Sequence, residues 1–218
     1  MNHLLLVLLG FLFPAIVPPT GNNGRPTGAD APSPLAIFDK SWNNPMYAAC
    51  NTAEDAAFMS ESEKEVIYIL NLARRYPAQF ANTVVKQYPA WSHHPKMTQS
   101  DYYLSLLRTM RKLPQSTLLY PDRQCYASAQ CHATSAGARG YVGHERISAA
   151  CKNDKYYMGE CCDYGHGEPI DIVLALLVDE GVSNLGHRLI CFTTYNKIGV
   201  SIAPHKAYGN NAVLDFYY

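Results

Sequence analysis

The segment "PIDIVLALLVDEG", residues 169 to 181, constrains the fold more than any other part of this chain. Eight of the nine positions from Ile170 to Val178 are apolar, with Asp171 the exception. A run this apolar is buried on nearly all sides, and its length favours helix over strand. Pro169 suits the first helical turn, and Gly181 closes the helix. Such a helix needs a core around it. A chain of 218 residues, 48% hydrophobic and 17% charged, has enough apolar surface to build one. The two acids that end the run, Asp179 and Glu180, have the wrong sign for a helix C-terminus, by about 0.3–1 kcal/mol each at exposed sites. Breaking a local rule in this way points either to two simply solvated acids, with Arg188 a surface ion pair, or to a nearby cation or metal that makes the acids useful. Gly186-His187-Arg188, delivered by a short loop, lies close enough in sequence to fold back onto them.

The rest of the chain sorts into three parts. From Leu4 to Val17 about 14 mostly apolar residues form a signal-peptide core, or an uncleaved N-terminal anchor, over residues 1–17. Residues 18–59 read as linker and N-terminal extension. The stretch 18–36 is rich in proline, glycine and small polar residues, and 37–58 holds scattered apolar residues that are expected along the domain surface. Residues 60–218 form the folded domain. Ser60 and Glu63 make a capping box for a helix ending near Tyr76, and Pro77 starts a second helix through roughly Val85. "DYYLSLLRTMRKL" gives a third, with Leu104, Leu107 and Met110 in register. An alanine- and serine-rich helix follows Pro121. "YYMGECCDYG" reads as a short strand, and "KIGVSIAP" with "NAVLDFYY" as a C-terminal hairpin. Helices come first and strands later, so the class is α+β. Helices on both faces of a small antiparallel sheet make a three-layer α-β-α sandwich.

Lysine plus arginine equals aspartate plus glutamate, at 18 each, so no basic surplus favours nucleic acid or an anionic membrane. An export signal places the chain outside the cytoplasm, extracellular or periplasmic, where disulfides form. The seven cysteines contain no C-x-x-C spacing. Cys125 and Cys131 on one helix lie about 9 Å apart along its axis, too far to pair. One of the neighbours Cys161 and Cys162 is in sequence reach of Cys151, with the other buried. The alternative is that most of the seven are packed thiols. Vicinal cysteines of an exported chain more often end up oxidised than serve as nucleophiles.

Three segments carry the chemistry. His144 stands in the glycine-flanked "GYVGHERIS". Glu160 lies on the "GECCDYG" strand, where it shares a face with Cys162 while Cys161 takes the other. His187 follows the buried helix. Two imidazoles and a carboxylate form a known zinc ligand set with an open position for water. His166, just after the strand, is a further residue for a cleft. His132 on the alanine-rich helix reads as packed, His93-His94 as solvated loop and His205 as a strand-end residue. Arg146 and Arg188 read as surface arginines, with the positioning of anionic groups as the alternative.

"HATSAGARGYVGHERI", "GECCDYG" and "IDIVLALLVDEGVSNLGHRLICFTTYNKIGVSIAPH" together resemble the cysteine-rich secretory, antigen 5 and pathogenesis-related superfamily, in its bacterial SCP-like extracellular branch. The likeness covers roughly residues 60 to 218. It implies an α-β-α sandwich with a cleft where two histidines and acidic residues converge. His144 then matches the first cleft histidine, Glu160 the glutamate of a Gly-Glu-Asn element, and His187 the histidine of a Gly-His element. Cys161 replaces the usual asparagine, "HRLI" replaces "HYTQ", and Asp179 or Glu180 stands in for a missing second acid, with Arg188 beside them. The resemblance implies a secreted domain that binds a divalent metal, zinc above others, through His144 and His187, or a small or lipidic ligand in the cleft. A metal-assisted hydrolase with Glu160 as general base is the alternative. A third reading is an adhesion module binding an extracellular protein.

Overall fold

The Ser60 hydroxyl accepts from the Glu63 amide at 3.4 Å, and the Glu63 carboxylate accepts from the Ser60 amide at 2.8 Å. This is the expected capping box, and it satisfies two orphan donors at the start of α1 (Glu61–Arg75). The other Glu63 oxygen accepts from the Ile202 amide at 2.9 Å, so one side chain ties the helix to the sheet. The computed structural model describes residues 32–218. The leader expected at 1–17, and the linker up to residue 31, lie outside the described residues.

After α1 come α2 (Pro77–Phe80), a π-helical turn (Ala81–Val85) and α3 (Lys86–Trp91). The helical path thus runs past Val85 to Trp91, with Pro89 accommodated inside it. In α4 (Asp101–Met110) the buried stripe is Tyr103, Leu106 and Met110, whereas Leu104, expected inside, is 37% exposed. The short β1 (Tyr120–Pro121) leads into α5 (Arg123–Arg139), then α6 (Ala149–Asn153), β2 (Gly159–Tyr164) and the apolar α7 (Pro169–Val178). Residues expected as loop around Gly186 form α8 (Gly186–Phe192) instead. β3 (Lys197–His205) and β4 (Gly209–Tyr217) close the chain as the expected hairpin.

The sheet order is β1-β3-β4-β2. β3 pairs antiparallel with β4 and β4 antiparallel with β2, while β1 adds a short parallel pairing to β3. The sheet is therefore mixed rather than wholly antiparallel. On one face α5 covers β3 and β4, and α1, α7 and α8 cover the other. The α+β class and the three layers follow from these contacts. Strand alternation divides the core accordingly: Cys161, Val200, Leu214 and Phe216 point toward the α1 and α7 side, and Cys162, Ala203 and Val213 pack with Ala129 and Ala133 of α5.

The small residues of α5 and β3 permit a close approach. A Cβ on Gly199 would lie 2.0 Å from the Tyr126 amide nitrogen, and one on Gly137 would lie 2.1 Å from the Pro204 carbonyl oxygen. Backbone atoms cannot rotate aside as a flexible side chain can. Gly199→Ala is expected to cost at least about 1–3 kcal/mol of stability, as overpacking does. Urea unfolding measures this as a lower midpoint at unchanged slope.

Residues 37–58 do not lie along the surface. Two 3-10 helices, Lys40–Asn43 and Pro45–Cys50, bring Trp42, Tyr47 and Cys50 into the core. The fully buried Trp42 donates its indole N–H to the Thr83 hydroxyl at 3.0 Å. Its ring has Tyr47 at 4.9 Å and Phe80 at 6.3 Å. Leu35 is also fully buried, so the packed body begins before residue 60. Large aromatic rings gain enough from burial to order a segment that shows no helical or strand period.

Cys151 pairs with Cys131, not with Cys161 or Cys162; the Cα atoms are 5.5 Å apart. The bridge joins α5 to α6 and closes the loop that carries His144 and Arg146. In chain-entropy terms a loop of this size contributes about 3 kcal/mol. Cys50, Cys125, Cys161, Cys162 and Cys191 are buried thiols, as the packed-thiol alternative expects. Among the described residues no helix is long and apolar enough to cross a membrane.

Candidate functional site

β2 lies at the edge of the sheet, and Glu160 points from it toward the α5 face, opposite Asp215 of β4. The His144 ring nitrogen Nδ1 is 2.8 Å from Glu160 Oε1, and the Arg146 guanidinium is 2.5 Å from Oε2 and 3.2 Å from Asp215 Oδ2. Arg146 is buried, with its guanidinium 4.9 Å from the centre of the Tyr157 ring. It is not the surface arginine that the sequence suggests, because two buried carboxyl groups require a cation between them.

Burial opposes ionisation of Glu160, but hydrogen bonds from His144 and Arg146 and the charge of Arg146 outweigh it. They hold the carboxyl down at about 2, against an ordinary 4.5. Burial, and then the Glu160 charge, push Asp215 well above its ordinary 3.8. The two acids therefore act oppositely on stability. Glu160, whose folded value is depressed, contributes stability above pH 4.5 that is lost as pH falls toward about 2. Asp215, whose folded value is raised, contributes stability below pH 3.8 that is lost as pH rises. Carboxyl-carbon NMR is expected to show Glu160 titrating near 2 and Asp215 well above 3.8. Two ordinary midpoints would contradict the arrangement.

On the opposite side of β2, α7 ends at Val178, and Asp179 caps it in the left-handed conformation at φ 59°. The cap is thus Asp179 rather than Gly181. One Asp179 oxygen accepts from the amides of His187 at 3.0 Å and Arg188 at 3.2 Å; the other is 2.7 Å from His187 Nδ1. The acid is of the wrong sign for the end of α7 and of the right sign for the start of α8. Arg188 returns the interaction, donating to the Leu177 and Val178 carbonyls at 2.6 Å and to Ser105 and Tyr102 at 2.8 and 3.0 Å. It is 2% exposed and occupied with helix carbonyls, so it is a link between helices and not a cleft ligand. Glu180 is exposed and hydrogen-bonded to Ser100.

His144 reaches β2 from the α5 face and His187 from the α8 face, and their ring centres are 6.3 Å apart. Their side chains are 54% and 22% exposed, so both are open to solvent. In each ring Nδ1 faces a buried carboxylate. Among the described residues no hydrogen bond occupies either Nε2. His187 lines a cleft of about 820 Å³ whose wall includes Leu174, Val178 and Val182, with Glu180 and Asp179 beside them. His93 and His94, expected as plain solvated loop, line it as well, as does His166, which is 3.0 Å from Asp163. His205 is buried at the strand end; its Nδ1 accepts from the Ala207 and Tyr208 amides at 3.2 Å.

The structure thus brings His144, Glu160, Asp179 and His187 into one neighbourhood, keeps Glu180 at the cleft, and removes Arg188 from it. Sequence reasoning misses Asp215 and the role of Arg146. A signal for Asp215 exists: an acid set between Leu214 and Phe216 shares its strand face with Val213, which marks it as a buried charge. A second group of potential metal donors, His132, Glu160 and Cys162, is buried with ligand atoms within 4.8 Å of one another. Comparisons with protein-family models, curated proteins and solved structures found no match.

Proposed function

We propose that this chain is an exported domain of the cysteine-rich secretory, antigen 5 and pathogenesis-related type. In this reading His144 and His187 bind a divalent metal, zinc, beside an apolar cleft that accepts a small or lipidic ligand. The observation that carries it is the pair of rings at 6.3 Å, each with Nδ1 against a buried carboxylate and Nε2 without a partner among the described residues. A carboxylate on one ring nitrogen fixes the tautomer and makes the other a better metal donor. Two imidazoles on one tetrahedral zinc have centres about 5 Å apart, so a small inward shift suffices. The Cys131–Cys151 bridge suits an oxidising compartment.

Binding is favoured over hydrolysis by the state of Glu160. A general base works best near the operating pH. A carboxyl held at about 2, with its oxygens occupied by His144 and Arg146, orients a ring and is a weak proton acceptor.

Calorimetric zinc titration of wild type and His187→Ala at pH 7 tests the reading. A binding event present in wild type and missing from the variant is expected. Identical heats and stoichiometry in the two proteins would overturn it.

A further inference from the structure

Beneath His144 lies a group that the cleft does not use. His132 of α5 is fully buried, and its Nε2 is 2.9 Å from the Gly143 carbonyl oxygen. A carbonyl only accepts, so Nε2 carries the proton and Nδ1 presents a bare lone pair. That Nδ1 is buried and has no hydrogen-bond partner. Leaving such an acceptor unpaired is costly, so a buried lone pair in this condition is one that a ligand can satisfy. Arg146 Nε and Asp215 Oδ1, in the same polar layer, are also buried without partners.

What faces His132 is a set of metal donors and not hydrocarbon alone. Its ligand atom, a Glu160 oxygen and the Cys162 sulfur lie within 4.8 Å of one another. Arg146 holds Glu160 Oε2, and Oε1, which already accepts from His144, has a second lone pair for an ion. Three protein ligands leave a zinc ion one further position, which water takes. All three core donors are at most 6% exposed.

We propose that His132, Glu160 and Cys162 form a second, buried metal site, distinct from the His144/His187 pair, that takes a zinc ion. Imidazole, thiolate and carboxylate together suit zinc, whereas magnesium and calcium take oxygen ligands. The Cys162 thiol gives up its proton to solvent as the sulfur–metal bond forms, leaving a thiolate ligand. The second ring nitrogen of His132 on Gly143 supplies the outer hydrogen bond that orients a metal-bound histidine. This site goes beyond the cleft reading and does not depend on it. His187 belongs only to the cleft and His132 only to the buried group, while Cys162, a donor of the buried group, also reaches the cleft wall.

Zinc X-ray absorption on the unaltered full chain, loaded with zinc and with the Cys131–Cys151 bridge intact, reads the site without a variant. The expected absorption contains a sulfur shell at about 2.3 Å, one sulfur for each zinc in the buried site and so about half a sulfur per zinc when the cleft is filled as well, with nitrogen and oxygen at about 2.0–2.2 Å. A shell of nitrogen and oxygen alone, or no retained zinc, would overturn the proposal and leave water as the occupant. Cobalt titration separates the two sites. The thiolate-to-cobalt charge-transfer band should persist in His187→Ala and vanish in Cys162→Ser. His132→Ala should weaken cobalt binding at least about tenfold. A band that survives Cys162→Ser would assign the sulfur to another cysteine and overturn the site as drawn.

Discussion

Arg74→Met is expected to lower the thermal midpoint of the domain by roughly 10 °C. The Arg74 side chain is fully buried in α1. It donates to the Thr117 carbonyl at 3.0 Å, the Thr193 carbonyl at 2.8 Å and the Tyr195 carbonyl at 3.1 Å, and also to the Cys191 carbonyl. None of these partners is a carboxylate, and burial lowers the guanidinium to about 10. Methionine keeps the length and apolar packing but strands the Thr117, Thr193 and Cys191 carbonyls, at about 1–3 kcal/mol each, while the Tyr195 carbonyl keeps the Thr117 hydroxyl as a donor. The desolvation of the guanidinium, several kcal/mol, is no longer incurred and offsets part of that. The net loss is about 3–5 kcal/mol, which gives that fall in midpoint for a domain of this size. Calorimetric or circular-dichroism melts measure it; a midpoint within a degree or two of wild type would contradict the role of Arg74.

Asp179→Asn is expected to weaken zinc binding strongly while leaving both ligand histidines in place. Asparagine keeps the shape, but a neutral amide no longer holds His187 as an Nδ1–H donor. The ring is then free to place its proton on Nε2, where it blocks a metal. Zinc affinity at the cleft should fall about 10–100-fold, with a stability loss of about 1–3 kcal/mol from the weakened amide contacts. Glu180→Gln is the comparison, since Glu180 is exposed and faces Ser100. It should change stability by no more than about 0.5 kcal/mol and leave zinc binding intact. Equal affinities for Asp179→Asn and wild type would remove Asp179 from the site.

Short-range patterns are the legible part of this chain. Ser60 and Glu63 are three residues apart and cap their own helix; Lys197–His205 and Gly209–Tyr217 pair as neighbours in sequence. The alternation along β2 places Glu160 and Cys162 on one face and Cys161 on the other. What sequence spacing does not encode is which distant groups satisfy a buried polar atom. Arg146 looks like any exposed arginine until Glu160 and Asp215 are placed beside it. Asp179 looks misplaced until the start of α8 is packed against it. Trp42 sits in a segment without period, and only the rings of Tyr47 and Phe80 explain its burial. Cys131 and Cys151 meet because α5 and α6 pack, a tertiary contact that cysteine spacing alone does not select.

Nitrogen-15 NMR of the imidazoles, recorded with and without zinc, bears most directly on the cleft. With both rings neutral, His144 and His187 should carry the proton on Nδ1, held there by Glu160 and Asp179, and added zinc should move both Nε2 resonances together. A proton found on Nε2 of either ring, or Nε2 signals that ignore zinc, would contradict a metal held by this pair.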